Sequence, residues 1–250
     1  MRLGLLVCDH VSADFQSVAG DYPDMFRRLF EGHPEVELVT YDLTAGEAPD
    51  SPEESDAWMT TGSRHSVYDS EDWIEALAEL VRQIHATGVP YVGVCFGHQM
   101  IAHALGGKVQ RAEQGWGVGV KEVMVTDPPS WLDRTSYRVL NSHADQVTGL
   151  PPDALVLGGN EHCPVSLIQV GDRMLGIQGH PEFTPDYAAA LLSARRGRVI
   201  PAATVDAALA SLDDPPDPRI LADALVRFLG EAGSPVQSDP TPRRSIIPRR

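Results

Sequence analysis

Cys95 stands between two glycines in Gly93-Val94-Cys95-Phe96-Gly97, at the point where a short apolar run (89–94) gives way to a helical pattern (98–105). With only Cys95 and Phe96 at the corner, the turn is sharp, and glycines on both sides remove the Cβ atoms that would clash in it. A side chain at such a corner points out of the strand's C-terminal end, so the thiol is expected to be exposed. The following helix aims its N-terminal N–H groups and positive dipole end at the sulfur, which favours thiolate. A lone cysteine is more often packed as a small hydrophobe. The glycine-flanked corner instead favours a nucleophile, although an α/β-hydrolase with Cys in place of Ser would show the same elbow.

The partners of a nucleophile are a base and a group that orients the base. Gln178-Gly179-His180-Pro181-Glu182-Phe183 follows the last apolar run, and Pro181 keeps His180 extended, so that His180 and Glu182 project from a rigid corner. An imidazole near Cys95 takes the thiol proton, and a carboxylate on its other nitrogen holds the tautomer. The same residues would also serve as an ordinary helix start before the helical pattern at 185–195. The order Cys, His, acid, with the acid two residues after His, does not fit α/β-hydrolases, whose acid precedes the histidine.

The other polar candidates are weaker singly. Gly62, in Thr61-Gly62-Ser63 just past an apolar run, could bring its N–H to an oxyanion, though a simple turn reads the same way. Asp9 and His10 fall on the C-terminal edge of the first strand, where α/β sheets bind ligands, and equally fit a loop cap and a solvated imidazole. His143, in the polar loop 141–145, is by itself more often a hydrogen-bonded structural residue.

The elements that must position these residues follow from periodicity. Continuous apolar runs at 3–8, 57–61 and 89–94, with an alternating run at 36–43, read as strands of a mostly parallel sheet. Helices are expected at 20–30, started by Asp21 and Pro23, and at 71–85. After Gly106-Gly107 the pattern changes to short strands (109–126, 137–140, 154–160, 165–170, 173–177) that read as antiparallel meanders, with Val170-Gly171-Asp172-Arg173 the clearest hairpin. Helices at 202–212 and 220–229 extend the same domain, which is expected over residues 1–200 with a helical extension at 201–230. Residues 231–250, rich in proline and with four arginines from Arg243 on, are expected to be a disordered tail.

The 250 residues are 42% hydrophobic, enough for one large α/β domain. Twenty Lys+Arg against thirty-five Asp+Glu give a net charge of −15, which argues against a nucleic-acid or anionic membrane surface. No apolar run reaches eighteen residues and the N-terminus enters a strand directly, so a cytoplasmic protein is expected. Cys8, Cys95 and Cys163 are odd in number and widely spaced, which suits a reducing compartment and forms no metal-ligand spacing.

Taken together, the sequence resembles class I (triad) glutamine amidotransferase domains at four ordered places over residues 3–195. These are Gly93 to Gln99, Gly179 to Glu182, Thr61-Gly62-Ser63, and Ser142-His143-Ala144-Asp145, the last familiar from the glutaminase half of GMP synthetases. Gly20 to Phe26, Gly115-Trp116 and Glu161-His162-Cys163-Pro164 look like the standalone, GMP-synthase-like members, a group that includes γ-glutamyl peptidases. Gly62-Ser63-Arg64 departs from the usual Gly-Gly-Pro, and no segment resembles an ATP-pyrophosphatase half.

The resemblance implies a three-layer, flavodoxin-like α/β fold with an antiparallel extension and hydrolysis of a γ-glutamyl amide without metal or cofactor. It implies Cys95, His180 and Glu182 as the triad, the Gly62 and Phe96 N–H groups as oxyanion donors, and Gln99, Ser63, Gly115, Trp116 and His143 around a small-molecule substrate. Three functions stay open: a free-standing γ-glutamyl hydrolase or peptidase, a glutaminase passing ammonia to a separate synthetase subunit, and a non-catalytic binding protein.

Overall fold

The computed structural model describes residues 1–232. The chain opens with β1 (Arg2–Val7), whose Leu3, Leu5 and Val7 enter one apolar layer while Leu6 enters the other. Side chains alternate across a strand, so a continuous apolar run is what burial on both faces requires. A short helix, α1 (Ala13–Ala19), precedes α2 (Tyr22–Leu29). Asp21 and Asp24 form a capping box at the start of α2, with Pro23 in its first turn. β2 (Glu37–Asp42) and β3 (Ala57–Thr60) pair parallel to β1 on opposite sides. α3 (Asp72–Thr87) ends on Gly88, at φ 73°, and leads to β4 (Tyr91–Val94) and α4 (Phe96–Ala104).

Seven strands follow: β5 (Lys108–Arg111), β6 (Gly117–Val125), β7 (Ser136–His143), β8 (Asp145–Gly149), β9 (Ala154–Gly159), β10 (Leu167–Val170) and β11 (Met174–Ile177). The order of the main sheet is β2-β1-β3-β4-β11-β10-β9-β6-β7, and β5 and β8 form a separate pair. It is parallel from β2 to β11 and antiparallel beyond. The hairpin at Gly171 therefore returns β11 into the centre of the sheet, parallel to β4. This puts the chain ends after β4 and β11, which carry Cys95 and His180, side by side on one edge.

Two expectations are corrected here. The run 109–126 is two strands split by residues 112–116, with Gly115 at φ 81°. The segment 141–145 is not a loop, because β7 continues through His143, paired with Gly117, and β8 begins at Asp145. A Cβ on Gly117 would lie 2.4 Å from His143 Nε2, so the glycine makes the room for an imidazole inside the ladder.

α5 (Pro185–Arg195), α6 (Ala202–Ala210) and α7 (Pro218–Ala232) complete the described chain. One helical layer contains α2, α5 and α7, the other α3 and α4. α6 buries Val205 and Ala208 against Val118 of β6, and α7 buries Leu221, Leu225 and Phe228 in the main core. Asp217 exchanges hydrogen bonds with the Arg138 backbone, which fixes the start of α7 on β7. The tail expected from residue 231 falls outside the described residues after Ala232. Among the described residues no helix is long and apolar enough to cross a membrane.

Candidate active site

Cys95 alone forms the corner between β4 and α4, and it holds φ 51° and ψ −96°, a conformation costly for a residue with a Cβ. Its neighbours permit the turn. A Cβ on Gly93 would meet the Gly97 carbonyl carbon at 2.3 Å, and one on Gly97 would meet Thr60 Cβ at 2.9 Å. Helix α4 thus begins at Phe96, two residues before the sequence pattern suggests, because Gly97 serves close approach to β3 rather than a turn. Cys95 N–H donates to the Ile177 carbonyl at 2.8 Å, which ties the corner to β11.

The thiol is not exposed as the elbow alone suggests: Cys95 is 5% exposed. The walls are polar ones. A Cβ on Gly62 would lie 2.7 Å from His180 Cε1 and 3.7 Å from Cys95 Cβ, so Gly62, Cys95 and His180 converge on one point. Gln178 Nε2 donates to Cys95 Sγ at 3.6 Å. His180 is hydrogen-bonded to Cys95 on one side, and its Nδ1 lies 2.8 Å from Glu182 Oε1 on the other. That contact makes Nδ1 the donor to the carboxylate and leaves Nε2 for the sulfur. Burial works against an imidazolium here, but the Glu182 and Cys95 charges outweigh it and raise the His180 pKa.

A cavity of about 200 Å³ opens beside His180. Ser63, Ser142, Phe183, Tyr187 and Arg195 line it together with Asp9, His10 and Arg64. Asp9 accepts from the Arg64 backbone and guanidinium, while His10 bridges Asp21 at 2.6 Å and Asp42 at 2.9 Å. The hydrogen bond to Asp21 outweighs the partial burial of His10 and raises its pKa. Arg195 donates to Ser142 Oγ at 3.1 Å and stacks over Trp116 at 5.6 Å, and no carboxylate among the described residues pairs with it.

Of the five residues expected around substrate, Ser63 lines this cavity and the other four do not. Gln99 is buried, its amide donating to the Asp145 carbonyl and to Gln178 Oε1. His143 is buried beside Gly117, and desolvation pushes its pKa down to about 3. Gly115 turns the chain ahead of β6, and Trp116 lies behind Arg195. Sequence reasoning missed Gln178, Phe183, Tyr187 and Arg195. Gln178 stands two residues before His180 on the stretch that leaves β11, and Tyr187, Leu191 and Arg195 share a helical face of α5. The helical periodicity was available as a signal. No cluster of three or more His, Cys, Asp or Glu side chains suited to a metal ion occurs among the described residues.

Residues 24–194 match the family model for glutamine amidotransferase class-I. The chain belongs to this family. Among curated relatives, γ-glutamyl peptidase 3 of Arabidopsis thaliana is 29% identical over 194 residues, covering 74% of this chain and 77% of that protein. γ-Glutamyl peptidase 2 of the same plant is 32% identical, covering 67% and 70%. The glutamine-hydrolyzing GMP synthase of Azoarcus sp. (strain BH72) is 32% identical over 63% of this chain but only 31% of that protein. A solved glutamine amidotransferase from Thermotoga maritima superimposes with a TM-score of 0.71 at 20% identity, covering 93% of this chain and 97% of that one. That likeness supports the shared fold, the flavodoxin-like α/β sheet with an antiparallel extension.

Proposed function

We propose that this amidotransferase is a free-standing γ-glutamyl hydrolase or peptidase, working through a γ-glutamyl thioester on Cys95. The Cys95 thiolate attacks the side-chain carbonyl of a γ-glutamyl amide, and the N–H groups of Gly62 and Phe96 hold the oxyanion. The His180 imidazolium then gives its proton to the departing amine nitrogen as the C–N bond breaks. Neutral His180 next takes a proton from water, whose oxygen attacks the thioester. Collapse releases glutamate and restores the thiolate–imidazolium pair. Glu182, bonded to Nδ1, keeps the imidazole in the required tautomer throughout. Ser63 meets the substrate from the cavity wall, and Gln99, His143 and the backbone at Gly115 and Trp116, which do not line that cavity, act on the glutamyl end through their neighbours. The helices from residue 201 to 230 act as part of the same domain, and the protein works in the cytoplasm.

The observation that carries the preference is the cavity beside His180, with Arg195 on its wall, bonded to Ser142 and paired with no carboxylate among the described residues. Ammonia needs no such room, whereas about 200 Å³, roughly six or seven waters' worth of space, accommodates an amino-acid leaving group. A guanidinium without a carboxylate partner suits a leaving group that brings one. The test is turnover of the purified protein, alone, on glutamine beside γ-glutamyl amino acids and peptides. The expected result is hydrolysis of some γ-glutamyl peptide at on the order of 1 s⁻¹ or faster. If every substrate turns over several hundredfold slower alone and a co-purifying synthetase restores the rate, the ammonia-donor function replaces this one. No turnover under either condition would leave a binding protein.

A further inference from the structure

Besides the His180 imidazole, the side-chain amide of Gln178 touches the Cys95 sulfur, with Nε2 3.6 Å from Sγ. Gln178 is fully buried, so its amide cannot exchange these partners for water. Its orientation is dictated by a chain of partners. The Asp145 main-chain carbonyl can only accept, so Gln99 must turn its NH₂ group toward it, at 2.8 Å. The same NH₂ group lies 3.2 Å from the Gln178 amide, which must therefore present its oxygen to Gln99 and its own NH₂ group to the sulfur. The three links come from β8, α4 and the residue that follows β11, elements that meet at the elbow.

We propose that Gln178 is a positioning residue for the nucleophile: its amide, oriented through Gln99 by the Asp145 carbonyl, donates to the Cys95 sulfur and holds it as thiolate toward the oxyanion donors. The proposal rests on Cys95 being the nucleophile. It also gives Gln99 a different task from the one its position in the motif suggests, since Gln99 acts on the sulfur through Gln178. A donor to sulfur favours S⁻ over S–H, as hydrogen bonds to charged groups are the stronger ones.

The test is the rate of iodoacetamide alkylation of Cys95 as a function of pH, with the modified residue identified by mass spectrometry. No substrate is needed, so the leaving group does not enter. Gln178→Met keeps the side chain's length without a donor, and is expected to slow alkylation at neutral pH about tenfold and to move the rate curve to higher pH. Gln178→Glu, which sets a carboxylate against the sulfur, should move it further. Gln99→Met touches no sulfur, yet should shift the curve in the same direction by less. A purely structural Gln178 would alter melting temperature and leave these curves in place. Superimposable curves for wild type and the variants that remain folded overturn the proposal, Gln99→Met and Gln178→Glu serving should Gln178→Met not fold. Preferential modification of Cys8 or Cys163 in the wild type would instead remove the nucleophile assignment on which it rests.

Discussion

The imidazole of His180 lies face to face with the ring of Phe183, centroids 3.9 Å apart and planes 14° from parallel. Tyr187 in turn holds Phe183 edge-on, at 4.7 Å. The bond to Glu182 fixes which nitrogen faces the sulfur, and the stack fixes the plane in which the ring sits. An aromatic face also attracts an imidazolium. Phe183→Leu keeps most of the apolar volume but removes that face, and should lower kcat about tenfold with KM little changed. His180→Ala and Cys95→Ala, which remove members of the proposed reacting unit, should each cost about 10³-fold or more, and Glu182→Gln less. Steady-state kinetics on one γ-glutamyl peptide separates these. A Phe183→Leu enzyme that melts earlier but turns over normally would reduce the stack to packing.

Two glycines of the site should fail in different ways. Gly62 has no left-handed backbone to protect, and its added Cβ would press on His180 Cε1 at 2.7 Å. Gly62→Ala should therefore displace the imidazole, cutting activity at least a hundredfold while changing stability by less than about 1 kcal/mol. Gly93→Ala collides with the Gly97 backbone at 2.3 Å, which cannot yield without unwinding the first turn of α4. That variant should lose about 3 kcal/mol or more, the upper range of overpacking. Thermal melts beside activity assays decide it, and equal losses of stability in the two would contradict the distinction.

The architecture was legible wherever one local rule governed a segment. β1 reads from its apolar run, α2 from Asp21 and Pro23, and the β10–β11 hairpin from Gly171. The elbow and the His180-Pro181-Glu182 corner read from residue type and spacing, and the fold brings them together because β11 pairs with β4, a long-range choice no local pattern contains. The failures have the same origin. Asn141, Ser142 and His143 look like a loop because they are polar, yet they form a strand, where Gly117 on the neighbouring strand leaves space for the imidazole. Cys95 was expected exposed because an isolated elbow presents its side chain, and it is buried because Gln178, His180 and Gly62 arrive from elsewhere in the chain.

That burial sharpens the question of selectivity among the three thiols. Desolvation raises the Cys8 pKa well above that of a free thiol, although Thr61 opposes it, and pushes that of Cys163 up to about 11. Neither has an imidazole beside it in the way Cys95 has. Limiting iodoacetamide, or an electrophile that mimics glutamine, should modify Cys95 first at neutral pH despite its 5% exposure. Peptide mapping of a partly labelled sample gives the order. Earlier modification of Cys8 or Cys163 would contradict Cys95 as the nucleophile.

Buried imidazoles away from the triad should make this protein acid-sensitive. Desolvation lowers the His98 pKa to about 4 and that of His143 to about 3, from 6.5 for a free imidazole. Both therefore stay neutral in the folded chain at pH values where they are protonated in the unfolded one. The unfolded state binds more protons in that window, so stability rises with pH and is lost as pH falls below about 6.5. His180 does not contribute there: its pKa is raised to about 10, it is charged in both states below 6.5, and the stability it confers is lost as pH rises from about 6.5 towards 10. His103 and His162, lowered by burial, act in the same direction as His98 and His143. Between pH 6.5 and 5, above the range of ordinary carboxylates, each fully buried imidazole should steepen the dependence by up to about 1.4 kcal/mol per pH unit. Urea unfolding at half-unit steps measures it. His143→Gln should flatten the slope by about one proton even if it weakens the fold at neutral pH, and an unchanged slope in that variant would show that His143 is not held neutral.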